Sequence, residues 1–463
     1  MNNVNCRINP VPENQRTDTR LYQVFFAWFA ANANVLTFGA GSVGPAAFGL
    51  GMKESFLTII VTDLIACIFP SMFTVFGPKL GTRAMVQSRF SWGYYGAVLP
   101  SIFNVLSMQG YLIINCIIGG QTLASVSSHL NAATGIVITG LISLAVTFCG
   151  YQTLHWYEML SWVPNVITFV IMLGVGGKTL VSVPTSAAVP ATAASIITFG
   201  SALAVTILAW CPIVPDYGIF HDAKGSSMRI FIYAYLGFFF ASVPVHLIGA
   251  AFTAAAAYVP AWGAGLNSAT NVGGLVAAVL QPIGGFGKFL LVLLALTTPS
   301  ASAPTMYTVC TSFMTIAPVF ARVPRFVFAI VSTAILIPVG IVGATRFYAT
   351  FTQVLSFIGY WIAPFLGIVL TEHFLFRCAS WKAYSPIEAW NDPRHPNLAR
   401  GYAAIFTFGS SIGLIVVCMS QVWWTGPVAR AGTGDIAMIV SFVYSVVVFS
   451  ITRALERKRW REV

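Results

Sequence analysis

Apolar residues run along the chain in long blocks that are separated by short polar connections. Each block reaches or approaches the length of about 20 residues that a helix needs to cross the hydrocarbon core of a bilayer. The pattern therefore predicts an all-α polytopic membrane protein with 12 transmembrane helices. In chain order, the predicted spans 1 to 12 cover residues 24–51, 55–77, 95–126, 133–149, 156–176, 193–220, 229–257, 286–317, 325–343, 347–374, 402–424 and 434–452.

Span 1 contains a stretch, Trp28–Gly51, that is apolar enough to enter a bilayer but rich in glycine. Gly41 and Gly44 loosen the backbone, and Pro45 removes a backbone donor. We therefore expect the helix to be broken at Gly44–Pro45. Unwound backbone is tolerated at membrane depth only where it lines a cavity or is buried in protein.

Span 6 carries a second break within Leu208–Phe220, LAWCPIVPDYGIF. Pro215 and Asp216 are typical of a helix that begins again after an unwound stretch. Two broken spans that lie five segments apart indicate a secondary transporter built from inverted repeats. Such transporters bind their substrate between the broken helices, near the midplane of the membrane.

Span 8 contains LTTPSASAPTMY, in which Pro299 and Pro304 bracket small residues. Two prolines would cost a helix two backbone hydrogen bonds, so we expect an interruption at this point. Two interpretations stay open: a third break that lines the cavity, or a packing kink between closely apposed helices.

The charge distribution predicts the orientation of the chain. Only 8% of residues are charged, yet the net charge is +11. With the N-terminus in the cytoplasm, 19 of the 24 Lys and Arg residues fall on the cytoplasmic side, as the positive-inside rule requires. The positive charge thus reflects membrane topology and anionic lipid at the basic tail RALERKRWREV, and we expect no nucleic-acid partner.

This topology divides the chain into five parts. They are a cytoplasmic N-terminal segment (1–23), a ten-helix transport core (24–376), a cytoplasmic loop (377–401), two accessory helices (402–452) and a basic cytoplasmic tail (453–463). The eight Cys and six His residues show no metal-ligand spacing, so no metal or cofactor is expected. No nucleophile–base set is present either, which argues against an enzyme.

Ionisable side chains are rare inside the predicted spans, and each needs a functional or structural explanation because it is costly to bury in a membrane. For Glu158 in HWYEMLSW we favour a functional role, as a site for a proton, a cation or a polar substrate, over a structural one, whereas Asp216 fits a structural acceptor at the break in span 6. For Asp63 in span 2, functional and structural roles stay open. His246 is the only histidine deep in a span, and we expect it to make a satisfied polar contact.

Aromatic and amide side chains suggest a flat ligand. Tyr111 and Asn115 are four residues apart in span 3, so they share a helix face. A ring can stack on a heteroaromatic ligand, while a carboxamide reads a donor and an acceptor on its edge. With Trp210 at the second break, the pair forms a possible aromatic sandwich. An interhelical Asn hydrogen bond with Tyr as packing remains the alternative.

The order of these motifs resembles the nucleobase–cation symporters, in particular the fungal-type purine–cytosine permeases. The resemblance rests on RTDTRLYQVFFAWFAANANVLTFGAGSVGP, LGTRAMVQSRFSWG, IINCIIGGQ, HWYE, PDYGIF and EHFLFR, which together cover nearly the whole chain. It implies a LeuT-type 5+5 inverted repeat with two extra helices. It also implies proton-coupled import of purines or cytosine across the plasma membrane by alternating access.

The resemblance also implies roles for single residues. Asn115 would contact the base, Trp210 would be one stacking ring, and Tyr111 stands where relatives carry Trp. Glu158 matches the acid implicated in proton coupling. The substrate region of span 1 matches Thr37 and Gly39, where we expect contact through the backbone.

Span 8 departs from the family pattern. Relatives carry Asn-Asn-x-Pro-Asn, but this chain has ASAPT at 301–305, so only Ser302 and Thr305 offer polar side chains. The change leaves other substrates open, such as a vitamin B6-like pyridine or a nucleoside, and it also leaves open a sensor that binds without transporting. Sodium is the alternative coupling ion, but LLVLLALTT at the start of span 8 has leucine where hydroxyls are expected.

Overall fold

The computed structural model describes residues 8–148, 151–187, 189–267 and 270–460. These residues form helices and connections, with no strand beyond two isolated bridges. Several spans consist of two helical pieces, which we label a and b in spans 1 and 6. The spans are Tyr22–Asn32 (1a), Val35–Phe48 (1b), Met52–Leu80 (2), Val98–Ala124 (3), Ala132–Phe148 (4), Tyr151–Ser182 (5), Ala193–Leu208 (6a), Pro215–Gly218 (6b), Ser227–Ala256 (7), Gly284–Ile316 (8), Arg325–Ala344 (9), Phe347–Phe376 (10), Tyr402–Cys418 (11) and Ala437–Trp460 (12).

The helices have the length and surface of membrane spans. Within the described residues, eight helices are long and apolar enough to cross a bilayer, and the bent pair of span 1 makes a ninth. Three shorter apolar helices (4, 6a and 11) correspond to the remaining predicted segments. On span 2, Leu57, Ile60 and Leu64 are exposed while Ile59 and Asp63 are buried. An apolar outer face of this kind is suited to lipid rather than water.

The break in span 1 lies earlier than predicted. Spans 1a and 1b meet at an angle of 55°, and the two residues between them are Ala33 and Asn34. Asn34 is the N-cap of span 1b, because its Oδ1 accepts from the backbone N–H of Thr37 at 2.9 Å. A new helix therefore starts at a capping side chain and not at a proline.

The predicted break at Gly44–Pro45 is wrong, since Gly41, Gly44 and Pro45 all lie inside span 1b. The glycines serve close packing instead. A Cβ on Gly41 would lie 2.0 Å from the carbonyl oxygen of His246, and one on Gly44 would lie 2.9 Å from the ring of Phe199. Pro45 removes one hydrogen bond, but the helix continues for one more turn and ends at Phe48.

Span 6 is interrupted inside the predicted segment. Helix 6a ends at Leu208, a turn follows over 209–214, and Pro215 opens the short helix 6b. Asp216 acts as an acceptor, as expected for a structural role, but its partner lies on another segment. Its Oδ1 accepts from the backbone N–H of Ala84 at 2.7 Å.

Span 8 is one continuous α-helix from Gly284 to Ile316. The expected interruption is therefore absent from its backbone, and Pro299 lies inside the helix. The side chain of Pro304 lies outside the described residues. The helix packs along span 3 and also contacts spans 4 and 5.

Two short helices between spans 7 and 8 do not follow from the span pattern. Pro260–Leu266 and Val272–Leu280 form a hairpin, and the second helix is packed against span 3. Val272, Leu275 and Val276 on that helix are fully buried. The hairpin thus covers the core on the side of the membrane opposite the N-terminus.

Candidate functional site

A cavity lies where the breaks of spans 1 and 6 face spans 3 and 8. The space between atoms there is about 700 Å³, part of which is open to solvent. Only about 50 Å³ of it is wide enough for the centre of a water molecule, so the cavity is narrow. The lining residues that bear polar or aromatic groups are Asn32, Asn34, Thr37, Tyr111, Asn115, Thr206, Trp210, His246, Ser302, Thr305 and Phe351.

The structure brings six of the seven predicted substrate residues to this cavity. They are Thr37, Tyr111, Asn115, Trp210, Ser302 and Thr305. Gly39 is the exception: it lies within span 1b, and a Cβ there would meet the side chain of Ile118 at 3.0 Å. Thr37 and Ala40 of the same stretch do line the cavity, and contact of a ligand with the backbone there stays a prediction.

Two aromatic rings, Tyr111 and Trp210, line the cavity from spans 3 and 6. The hydroxyl of Tyr111 donates to the carbonyl of Val205 in span 6a over 3.4 Å. Trp210 packs edge-on against Trp28 of span 1a, with ring centroids 5.7 Å apart. Both cavity rings are half-buried and held by neighbouring helices, which orients their faces without a ligand.

Asn115 carries the best-defined polar group in the cavity. Its Nδ2 donates to the carbonyl of Thr298 and to the hydroxyl of Ser302, each over 2.9 Å. Its Oδ1 receives no hydrogen bond from any described residue, so this acceptor is available to a donor on a ligand. The sequence left an interhelical hydrogen bond as the alternative role of Asn115. That bond is present, but it engages only Nδ2 of the amide.

The hydroxyls of span 8 are mostly engaged. Ser302 accepts from Asn115 and donates to the carbonyl of Thr298 over 3.2 Å. Thr305 donates to the carbonyl of Ala301 over 2.8 Å. Each keeps an oxygen lone pair that a ligand N–H can reach, but neither has a spare donor.

The start of span 1b lies beside the cavity, since Leu36 and Thr37 of its first turn are among the lining residues. The first N–H groups of a helix have no carbonyl partner within it. Thr37 N–H is satisfied by Asn34, whereas Leu36 lines the cavity within the same first turn. A helix start also favours negative charge or a carbonyl oxygen on a ligand.

A polar network that the sequence prediction did not include joins the break in span 1 to span 8. Asn165 of span 5 donates to the carbonyl of Ala33 over 2.9 Å, and its Oδ1 accepts from the hydroxyl of Thr297 over 2.8 Å. Asn165 is only 1% exposed. The only sign of Asn165 in the sequence is a single Asn in an apolar run. Its partners cannot be inferred from that run, because one lies 132 residues before it and the other 132 residues after it.

Polar contacts around Asp216 follow the break in span 6. Its Oδ2 lies 3.4 Å from a guanidinium nitrogen of Arg83 and accepts from the hydroxyl of Thr311 over 3.3 Å. Lys79 adds two hydrogen bonds to the carbonyls of Ala223 and Gly225. These contacts tie the loop after span 2 to spans 6 and 8.

His246 makes a polar contact, as expected, and its partner is Asp63, the acid whose role was open. The side chain of Glu158 lies outside the described residues. Among the described residues no group of three or more His, Cys, Asp or Glu is arranged to hold a metal ion.

Comparison with known proteins gives the family. A family model described as "Permease for cytosine/purines, uracil, thiamine, allantoin" matches residues 10–387. The purine-cytosine permease fcyB of Emericella nidulans is 32% identical over 455 residues, which cover 97% of this chain and 88% of the relative. FCY2, a purine-cytosine permease of Saccharomyces cerevisiae, is 32% identical and covers 97% of this chain and 86% of the relative. The vitamin B6 transporter TPN1 of the same yeast is 25% identical, covering 98% and 87%.

Solved structures agree on the fold. The closed conformation of Mhp1, a nucleobase-cation-symport-1 family transporter with bromovinylhydantoin bound, superposes with a TM-score of 0.71 at 17% identity and covers 99% of this chain and 96% of that chain. This likeness assigns the helices to the LeuT-type fold. The chain is thus a multi-pass membrane transporter, not an enzyme, and it belongs to the family of permeases for cytosine and purines, uracil, thiamine and allantoin.

Proposed function

We propose that this protein is a proton-coupled symporter that imports purine nucleobases and/or cytosine across the plasma membrane by alternating access, with both termini in the cytoplasm. One observation carries the proposal: the rings of Tyr111 and Trp210 and the amide of Asn115 line the same cavity beside the two helix breaks. The purine-cytosine permeases fcyB and FCY2 support the choice of nucleobases. The excess of Lys and Arg on one side supports the orientation.

In this proposal the base lies flat between the two rings. The open Oδ1 of Asn115 accepts from an N–H on the edge of the base, such as the exocyclic amine of cytosine or adenine. Backbone N–H groups at the start of span 1b, next to Thr37, donate to a ring nitrogen or carbonyl. Ser302 and Thr305 contribute oxygen lone pairs from span 8. Because the cavity is narrow, the rings must separate slightly when a base enters.

A proton supplies the driving force, and Glu158 is the residue we propose to bind it on span 5. A proton that enters down a membrane potential of about 100 mV contributes about 2.3 kcal/mol, which sustains an approximately 50-fold gradient of substrate. Coupling requires that the proton bind one conformation better than the other.

Sodium fits this chain less well. Two oxygen atoms near the break of span 1, the carbonyl of Ala33 and the hydroxyl of Thr297, could bind a cation. Both are already bonded to the side-chain amide of Asn165. A cation bound to these two oxygens would have to displace that amide. We therefore expect replacement of external sodium by choline to leave uptake unchanged.

Direct binding tests the substrate assignment. Purified protein in lipid nanodiscs is titrated with cytosine, adenine and hypoxanthine, and the fluorescence of its tryptophans is followed. Saturable quenching that is lost in Trp210→Leu supports the proposal. Saturable binding that persists unchanged in Trp210→Leu and in Asn115→Ala would move the ligand out of this cavity.

A second substrate class is a vitamin B6-like pyridine. Two observations favour it: TPN1 matches the chain over nearly its whole length, and span 8 offers hydroxyls at Ser302 and Thr305 in place of amides. Pyridoxine in the same titration separates the classes. Competition by pyridoxine and not by cytosine would select this alternative.

A further inference from the structure

A histidine and an aspartate form an isolated pair inside the helix bundle. Nδ1 of His246 on span 7 lies 2.8 Å from Oδ2 of Asp63 on span 2. His246 is 1% exposed and Asp63 is fully buried. The other polar atom of each side chain, Nε2 of His246 and Oδ1 of Asp63, is buried and bonded to no described residue.

No described charge compensates this pair. Spans 1b and 6a, which pack against spans 7 and 2, contain no Asp, Glu, Lys, Arg, His, Tyr or Cys. Cys67 lies one turn after Asp63 on span 2, and Tyr235 of span 7 lies near Cys67. The remaining titratable residues on the surrounding elements lie at helix ends or on the part of span 5 whose side chains are outside the described residues: Tyr22, Lys53, Glu54, Lys79, Tyr151, His155, Tyr157, Glu158, Lys178, Arg229 and Tyr233.

One proton decides the charge of the pair. A carboxylate can only accept, so Nδ1 of the imidazole donates to it and Nε2 keeps a lone pair. In that state the pair carries a charge of minus one, with no charged partner among the described residues. One added proton, on Nε2 or on the carboxylate, makes the pair neutral overall. An added proton would therefore remove the net charge of a pair whose two outer polar atoms, Nε2 of His246 and Oδ1 of Asp63, have no described partner.

The pair also lies where substrate and conformation can affect it. His246 lines the candidate cavity together with Thr37 and Ala40 of span 1b. Its backbone abuts Gly41, where a Cβ would lie 2.0 Å from the carbonyl oxygen of His246. A movement of span 1b that opens the cavity therefore changes the hydration of the imidazole.

We propose that Asp63 and His246 together form a proton-binding site, which takes up a proton from external water as the cavity closes around its ligand and releases it to cytoplasmic water when the cavity opens inward. The proposal rests on the proton-coupled function proposed above, and it adds a site on spans 2 and 7 to Glu158 on span 5. A proton is the only ligand it requires.

The test compares two transport modes in proteoliposomes for the wild type, Asp63→Asn and His246→Gln. Exchange of labelled for unlabelled base at equal pH needs no net proton movement, so we expect Asp63→Asn, whose side chain does not line the cavity, to keep it within about twofold of wild type. Net accumulation driven by acid outside needs the proton, so we expect its stimulation by acid to vanish. His373→Gln, which removes a buried histidine outside the cavity, should retain both modes.

Each other result overturns the proposal. Acid-driven accumulation that persists in Asp63→Asn and His246→Gln would show that the pair does not carry the proton. Loss of exchange together with accumulation would assign the pair to folding or substrate binding.

A readout without substrate separates this proposal from the proposed function. If the wild type moves no base in either mode, the proposed function fails, and the site is still tested by infrared difference spectra of the purified protein between acid and neutral pH. A carboxyl or imidazole band that disappears in both variants supports the proton site. Identical spectra for all three proteins would refute it.

Discussion

Nδ2 of Asn115 on span 3 lies 2.9 Å from the hydroxyl oxygen of Ser302 on span 8. This bond fixes which end of the Asn115 amide faces the cavity, because the nitrogen is held by span 8 and Oδ1 is left open. A serine of span 8 thus orients the amide of Asn115 in the cavity. Asn115 of span 3 and Ser302 of span 8 therefore act as one polar unit.

Ser302→Ala should weaken base binding without abolishing it. Loss of one neutral hydrogen bond costs about 1 kcal/mol, which corresponds to about fivefold in affinity. The matched control is Ser300→Ala, because Ser300 bonds only to the carbonyl of Thr297 on its own helix and does not line the cavity. Apparent affinity from uptake kinetics checks this. Equal effects of the two substitutions would contradict the orienting role.

Trp210→Leu should weaken binding of any flat base. Stacking of a base on an aromatic side chain is worth about 1–3 kcal/mol, or about 5- to 150-fold in affinity. Trp210→Tyr should retain most of the affinity, and the exposed Trp423 serves as the control for loss of a tryptophan. The comparison is made by competition with labelled cytosine. Full affinity in Trp210→Leu would remove this ring from the site.

Gly41→Ala should damage the transporter, whereas Gly177→Ala should not. A methyl group on Gly41 would meet the backbone of His246, which cannot move without shifting span 7. Around Gly177 nothing lies within 4 Å, and alanine in a helix interior is favoured over glycine by up to about 1 kcal/mol. Thermal denaturation and uptake of both variants check this. Equal behaviour of the two would contradict the close packing of spans 1b and 7.

Local features of the site follow from the sequence, whereas contacts between distant segments do not. Tyr111 and Asn115 were found from their spacing, since a helix brings positions four apart to one face. The pairing of Asp63 with His246 was not, because 183 residues separate them and only the packing of spans 2 and 7 unites them. The break of span 1 was misplaced because proline removes one hydrogen bond, whereas the cap at Asn34 begins a new helix.

Asp216→Ala should destabilise the packing of the loop after span 2 against spans 6 and 8. The change leaves Arg83 without this carboxylate and the N–H of Ala84 without its acceptor, and loss of one partner of a buried pair costs about 3 kcal/mol. Asp216→Asn keeps an acceptor for Ala84 and should lie between Asp216→Ala and wild type. Melting temperatures in nanodiscs measure this, with the exposed Asp392→Ala as control. Unchanged stability in Asp216→Ala would contradict the structural role.

The most direct test of the central claim is uptake of labelled cytosine, adenine and hypoxanthine in cells that lack their own carriers, at about pH 5 and about pH 7.5, with and without a protonophore. A proton–nucleobase symporter predicts faster uptake in acid and collapse of accumulation by the protonophore. Absence of uptake of every base, with the protein present at the cell surface, would contradict the account.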